Sequence, residues 1–126
     1  MALSRPAALI VEDQPFVGMV ASDILRESGF DTFHAYDASA AAAVLEEHPE
    51  IEVVVTEAQL PGDVDGLELC RRVAQERPDV QLVVTAAGHV VEAADVPRGA
   101  RLLRKPYASG ELRTIVASKS LNLQDA

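Results

Sequence analysis

Short apolar runs return along this chain with a regularity that few folds can use. They fall at residues 7–11 (AALIV), 31–36 (DTFHAY), 51–56 (IEVVVT), 80–86 (VQLVVTA) and 100–104 (ARLLR). Runs of this length read as strands, and where apolarity is continuous both strand faces are buried. Helical spacing follows them. Residues 16–28 set Phe16, Val17, Val20, Ile24 and Leu25 on one stripe, with Gly29 as a natural stop. Residues 38–48 (ASAAAAVLEEH) make a second helix, with Asp37 or Ser39 as its cap and Pro49 beyond it. Residues 65–76 (DGLELCRRVAQE) make a third, halted before Pro78, and residues 109–118 a last one.

Strand then helix, repeated with crossovers long enough for a right-handed return, implies an α/β fold: a doubly wound five-stranded parallel sheet with helices on both faces. The rhythm weakens only between the fourth and fifth runs. GHVVEAADVPRG is short and carries Pro97, so a fourth helix is expected to be short or irregular. One domain is expected over residues 1–118, with the polar segment 119–126 as a frayed tail.

Composition agrees. With 126 residues the chain can bury a core without disulfide or metal staples. Apolar residues make up 48% and aromatic ones only 4%, so the core is aliphatic, as suits a parallel sheet under Ala-rich helices. A net charge of -9 argues against nucleic acid as a partner, since that affinity rests on clustered Lys and Arg. The lone cysteine, Cys70, shares a helix face with Leu67 and Val73 or Ala74 and is expected to be buried and inert. The N-terminal apolar run is too short for a signal peptide or membrane span, which points to a cytoplasmic protein with no membrane partner.

Ligands of such sheets collect at the carboxyl ends of the strands. The residues there are Glu12 and Asp13 after the first run, Glu57 after the third, Thr85 in the fourth, and Lys105 with Pro106 after the fifth. Acids crowded together repel unless a cation compensates them, so a hard, oxygen-seeking ion such as Mg²⁺ is the natural occupant, with Lys105 supplying further positive charge. A nucleotide-binding relative of the same architecture is disfavoured. The first loop, EDQPF, places acids where a phosphate would sit and lacks the Gly-rich turn that receives one.

In their order, LIVEDQP, VVVTEAQLPGDVDGLEL, LVVTAAG and LLRKPY resemble a response-regulator receiver domain, the CheY-like module of two-component signalling. The resemblance runs over residues 7–116. It implies a Mg²⁺ cofactor held by Glu12 and Asp13, the phosphoacceptor position and the Gln59 backbone carbonyl. It implies a switch hydroxyl at Thr85, a phosphoryl-pairing lysine at Lys105, and a cis peptide before Pro106. It also implies a histidine kinase or histidine phosphotransfer protein as donor, a downstream protein target, and no enzymatic output.

Three departures stand out. The phosphoacceptor position, an aspartate in the family, is Glu57. Its longer side chain either imitates the phosphorylated state in part, with one charge where a phosphoryl group carries nearly two, or merely disables transfer. The alternative to both is an adaptor working without phosphorylation, its acids vestigial. Leu102 stands where receivers place a rotating aromatic, and reads as a packing residue. The segment between Thr85 and Lys105 is shorter than usual, and residues 88–99 within it are expected to be mobile. His34, His48 and His89 pair with no nucleophile; His89 alone is expected near the site. Tyr107 reads as an exposed partner contact, and the face of the last strand and helix is available for a homodimer.

Overall fold

The computed structural model describes residues 5–88 and 90–125. Strand β1 (Ala7–Val11) leads to α1 (Pro15–Glu27), then β2 (Asp31–Ala35), α2 (Ala38–Glu47), β3 (Ile51–Glu57), α3 (Gly66–Glu76) and β4 (Gln81–Ala87). A single 3-10 turn (Ala93–Asp95) precedes β5 (Arg101–Lys105) and α4 (Ser109–Asp125). The strands lie in the order β2-β1-β3-β4-β5, all parallel. The expected doubly wound sheet is therefore present.

Alternation along the strands divides the core in two. Leu9, Val11, Val54, Leu82 and Val84 face α2 and α3, meeting Ala38, Ala41, Leu69, Cys70 and Val73. Ile10, Val53, Val55, Val83 and Leu103 point the other way, onto Ile24 and Leu25 of α1 and Leu112 and Val116 of α4. Small side chains on α2 let that helix lie close to the sheet. Cys70 is fully buried as expected, and burial pushes its thiol up to about 12, which leaves it protonated and unreactive.

Local chemistry sets the helix ends. Pro15 opens α1, where a missing N–H costs nothing, and Gly29 follows it at φ 100, a conformation that side chains avoid. Asp37 caps α2 by accepting the Ala40 amide at 2.8 Å, and Asp65 caps α3 by accepting that of Glu68 at 2.9 Å. At the other end of α3, the Arg77 guanidinium donates to the carbonyls of Leu45, His48, Pro49 and Ile51. One side chain thus satisfies the carboxyl end of α2 and ties it to the start of β3.

Several boundaries differ from expectation. Strand β3 runs on through Glu57, and β5 through Lys105, so both residues belong to the ladder and not to the loops after it. The irregular fourth helix is reduced to the 3-10 turn, because Pro97 follows too closely for a longer one. Helix α4 continues past residue 118 to Asp125, so backbone expected as a frayed tail is helical up to that point.

Gly66 links fold to site. It begins α3 so close beneath the end of β3 that a Cβ there would lie 1.8 Å from the Glu57 carbonyl oxygen. Backbone cannot yield as a side chain can. Gly66→Ala is expected to destabilise the protein by about 1–3 kcal/mol in urea denaturation, whereas Gly110→Ala, with nothing within 4 Å of the new methyl group, should show no loss.

Candidate functional site

Period-two alternation brings the chemistry to one side of the sheet. Ala8 and Ile10 on β1 are followed in phase by Glu12; Val53 and Val55 on β3 by Glu57; Val83 on β4 by Thr85; Leu103 on β5 by Lys105. Register then sets their depth, since Glu57 pairs with Thr85 in the ladder and Lys105 with Ala87. The four side chains share the face covered by α1 and α4, at the carboxyl ends of the strands.

Lys105 is the hub. Its Nζ donates to Glu12 Oε1 at 2.8 Å and makes a short charged hydrogen bond to Glu57 Oε2. Thr85 Oγ1 donates to that same Glu57 oxygen at 3.3 Å, and the Gln14 amide donates to Glu12 Oε2 at 3.1 Å. Side-chain exposure is 5% for Glu12, 12% for Glu57 and 23% for Lys105, so these charges interact with little water between them.

One ammonium shared by two carboxylates leaves them unequal. Burial pushes Glu12 up, but Lys105 and the Gln14 amide together outweigh it and hold the group below the usual 4.5. Burial raises Glu57 also, and there, with the Glu12 charge beside it, burial prevails over Lys105 and the carboxyl lies above 4.5. Burial alone would lower Lys105; the two glutamates reverse this and raise it above 10.5. On acidification the first proton therefore goes to Glu57.

His34 on β2 is nearer to this cluster than expected. Its Nε2 lies 3.0 Å from the Glu12 carbonyl, and since a carbonyl only accepts, that nitrogen carries the proton. The imidazole lies so close to Gly18 of α1 that a Cβ there would come within 2.2 Å of the ring. His34 thus fixes the backbone that aims Glu12. His48 is remote, hydrogen-bonded to Glu50 and stacked on Phe33, and His89 lies outside the described residues.

Asp13 and Gln59 are exposed. Oxygen donors of these kinds suit Mg²⁺ chemically, but their arrangement does not fit such an ion. Among the described residues no three Asp, Glu, His or Cys side chains converge on one point, and an ammonium lies where two of the carboxylates meet.

Around the site, Leu102 is partly buried and packs with Val91 and Val96 over the α2–α3 side of the sheet, as its packing role requires. Tyr107 differs from expectation. It is partly buried against the α1–α4 core and lines the cleft with Glu12, Glu57 and Lys105; the peptide between Lys105 and Pro106 is cis, as the resemblance implies.

Sequence reasoning passed over Arg104. From the opposite face of β5 to Lys105, its guanidinium donates to the Gly88 carbonyl at 2.6 Å, the Val91 carbonyl at 2.9 Å and Glu92 Oε2 at 3.0 Å. Val91 itself is buried, and Glu92 and Asp95 form a reciprocal cap. The segment expected to be mobile is therefore tethered at several points. An arginine one residue before Lys105 was the available signal, since alternation sends it to the other face.

Two predictions follow from these contacts. Arg104→Ala should accelerate amide hydrogen exchange in residues 90–95 by about tenfold or more while leaving the sheet unchanged. Lys105→Met strands two poorly exposed carboxylates and should cost about 1–3 kcal/mol at pH 7. Protonation removes the repulsion, so that deficit should shrink as pH falls toward and below about 4.5, which urea midpoints across the range would record. At the other end of the range, the unsubstituted protein should lose the lysine's contribution in alkali, as pH rises through a Lys105 value above 10.5.

Comparison with known proteins was made on both sequence and fold. Residues 8–117 match the family model described as the response regulator receiver domain. The chain is 30% identical over 119 residues to the response regulator protein PilR of Pseudomonas aeruginosa, an alignment covering 92% of this chain and 26% of PilR. It is 28% identical over 102 residues to the response regulator receiver protein CpdR of Brucella abortus, covering 79% of this chain and 83% of CpdR. The chain thus spans about a quarter of PilR but most of CpdR. Among solved structures, a signal receiver domain of an HD domain-containing protein from Pseudomonas fluorescens superposes with TM-score 0.82 at 25% identity, over 97% of this chain and 98% of that one. A response regulator receiver protein from Sinorhizobium medicae gives TM-score 0.84 at 23% identity, over 96% and 98%.

Proposed function

The chain belongs to the response regulator receiver family, and from that premise we propose that Glu57 stands in the place of the phosphate-accepting aspartate and keeps this receiver in one state. One observation carries the reading: both groups that would receive a phosphoryl oxygen, the Lys105 ammonium and the Thr85 hydroxyl, already bond to a single oxygen of Glu57. The extra methylene brings the carboxylate to them.

Two consequences follow for the chemistry. Attack on a phosphoryl donor requires a carboxylate oxygen aligned with phosphorus at a set depth in the pocket, and a displacement of about 1 Å costs on the order of a hundredfold in rate. A carboxylate already engaged by an ammonium is also a weaker nucleophile. Transfer to Glu57 from a histidine kinase or histidine phosphotransfer protein is therefore impaired. The pocket keeps a permanent negative charge against Thr85 and Lys105, a partial stand-in for the phosphorylated form.

Signalling then works through protein contacts with a downstream target, without enzymatic turnover. No described helix is long and apolar enough to cross a membrane, and a net charge of -9 argues against nucleic acid as a partner. The adaptor reading, with vestigial acids, is less well supported, because Glu12 and Glu57 are poorly exposed and both paired with Lys105 where vestigial acids would drift into solvent.

The test is phosphoryl incorporation from acetyl phosphate, followed by mass spectrometry, in this protein and in Glu57→Asp. The aspartate form should be labelled at least about a hundredfold faster. Equal rates in the two proteins would overturn the reading.

A further inference from the structure

The cluster of Glu12, Glu57 and Lys105 has room for one kind of cation, and the chain supplies it. We propose that Lys105 is the resident counterion of this site and excludes Mg²⁺, which gains the carboxylates only when the lysine is removed.

Three of the four carboxylate oxygens are already in use. Glu12 Oε1 and Glu57 Oε2 both accept from Lys105, while Glu12 Oε2 accepts from the Gln14 amide and Glu57 Oε2 also from Thr85. A divalent ion drawing on Glu12 Oε1 and Glu57 Oε2 would compete with the lysine for both, through bonds that are charged and poorly exposed to water.

Space argues the same way. The cleft lined by Ile10, Glu12, Glu57, Thr85, Lys105 and Tyr107 encloses about 10 Å³, the room of roughly one water molecule. Mg²⁺ demands octahedral oxygen ligation and sheds its waters reluctantly, so it arrives as a larger body than the cleft accepts. Charge is the third term. The two carboxylates and the ammonium sum to one negative charge, and a divalent ion added beside the lysine would make this poorly hydrated cluster positive. Asp13, the remaining acid nearby, is exposed and does not converge with the other two on a common point.

The inference rests on Glu12 and Glu57 being the receiver acids, but it concerns the free protein. Its test uses Mg²⁺ alone and no phosphoryl donor, so a negative result would leave the labelling comparison of Glu57→Asp standing, and the reverse also holds.

The experiment is a Mg²⁺ titration of the full chain followed by amide and Lys105 Nζ chemical shifts. Lys105→Met, Lys105→Gln and Lys105→Arg are titrated beside it. The unsubstituted protein and Lys105→Arg should bind weakly, without saturation in the millimolar range. Lys105→Met and Lys105→Gln should bind at least about tenfold more tightly, with shifts centred on Glu12, Asp13 and Glu57. Saturable binding by the unsubstituted protein with the Lys105 Nζ signal unmoved would overturn the proposal without reference to any variant. Equal affinity in all four proteins, or no binding in any, would overturn it also.

Discussion

Two carboxylates held a few ångströms apart at the end of a sheet repel one another, and the separation is tolerable only with positive charge between them. In this chain the positive charge comes from the far edge of the same sheet. Lys105 reaches from β5 across β4 to Glu57 and on to Glu12, so three strands meet at one nitrogen. Removing the ammonium would change more than one contact, because Glu12 is also fastened through its backbone to β2 and Glu57 through its ladder partner to Thr85. The carboxyl ends of all five strands are therefore linked through this cluster, and the sheet beneath provides the stiffness that keeps the groups in place.

Away from the site, arginines do comparable work with carbonyls. Arg77 gathers the end of α2 and the beginning of β3; Arg104 gathers the segment beyond β4. Helix ends and short irregular segments leave carbonyls without intrahelical partners, and a planar guanidinium with five N–H donors can serve several together. In receivers an aromatic on β5 relates the site to the outer face. Here Leu102 packs in the core and Arg104 makes the nearest connection from β5 to the segment following Thr85.

Much of the fold was legible because it depends on periodicity. Continuous apolar runs and helical stripes recur in alternation, and with only five strands that order fits an open parallel sheet and not a closed eight-stranded barrel. The site residues Glu12, Glu57, Thr85 and Lys105 were also legible, since topology sends strand ends to one place. What the sequence withheld was the partnering. Glu12 is buried while Asp13 beside it is exposed, in a turn of backbone that His34 contacts while lying over Gly18, and no local pattern encodes a contact between β2 and α1. Tyr107 was misjudged for a similar reason: the direction taken after Pro106 is a matter of tertiary packing. Residues 88–99 looked loose because their glycines and proline are local features, whereas the arginine that tethers them comes from a different strand.

Glu57 is the last residue of a strand, its backbone held on one side by β4 and approached from beneath by the start of α3. The fold therefore fixes where its Cβ points and is indifferent to how far the side chain extends. Aspartate and glutamate differ at only the third base of their codons. A lineage carrying this sequence stands one nucleotide substitution from the other residue, with no core to repack on the way. For such a lineage, leaving or rejoining a phosphate-driven circuit is a short evolutionary step, and it is open in both directions.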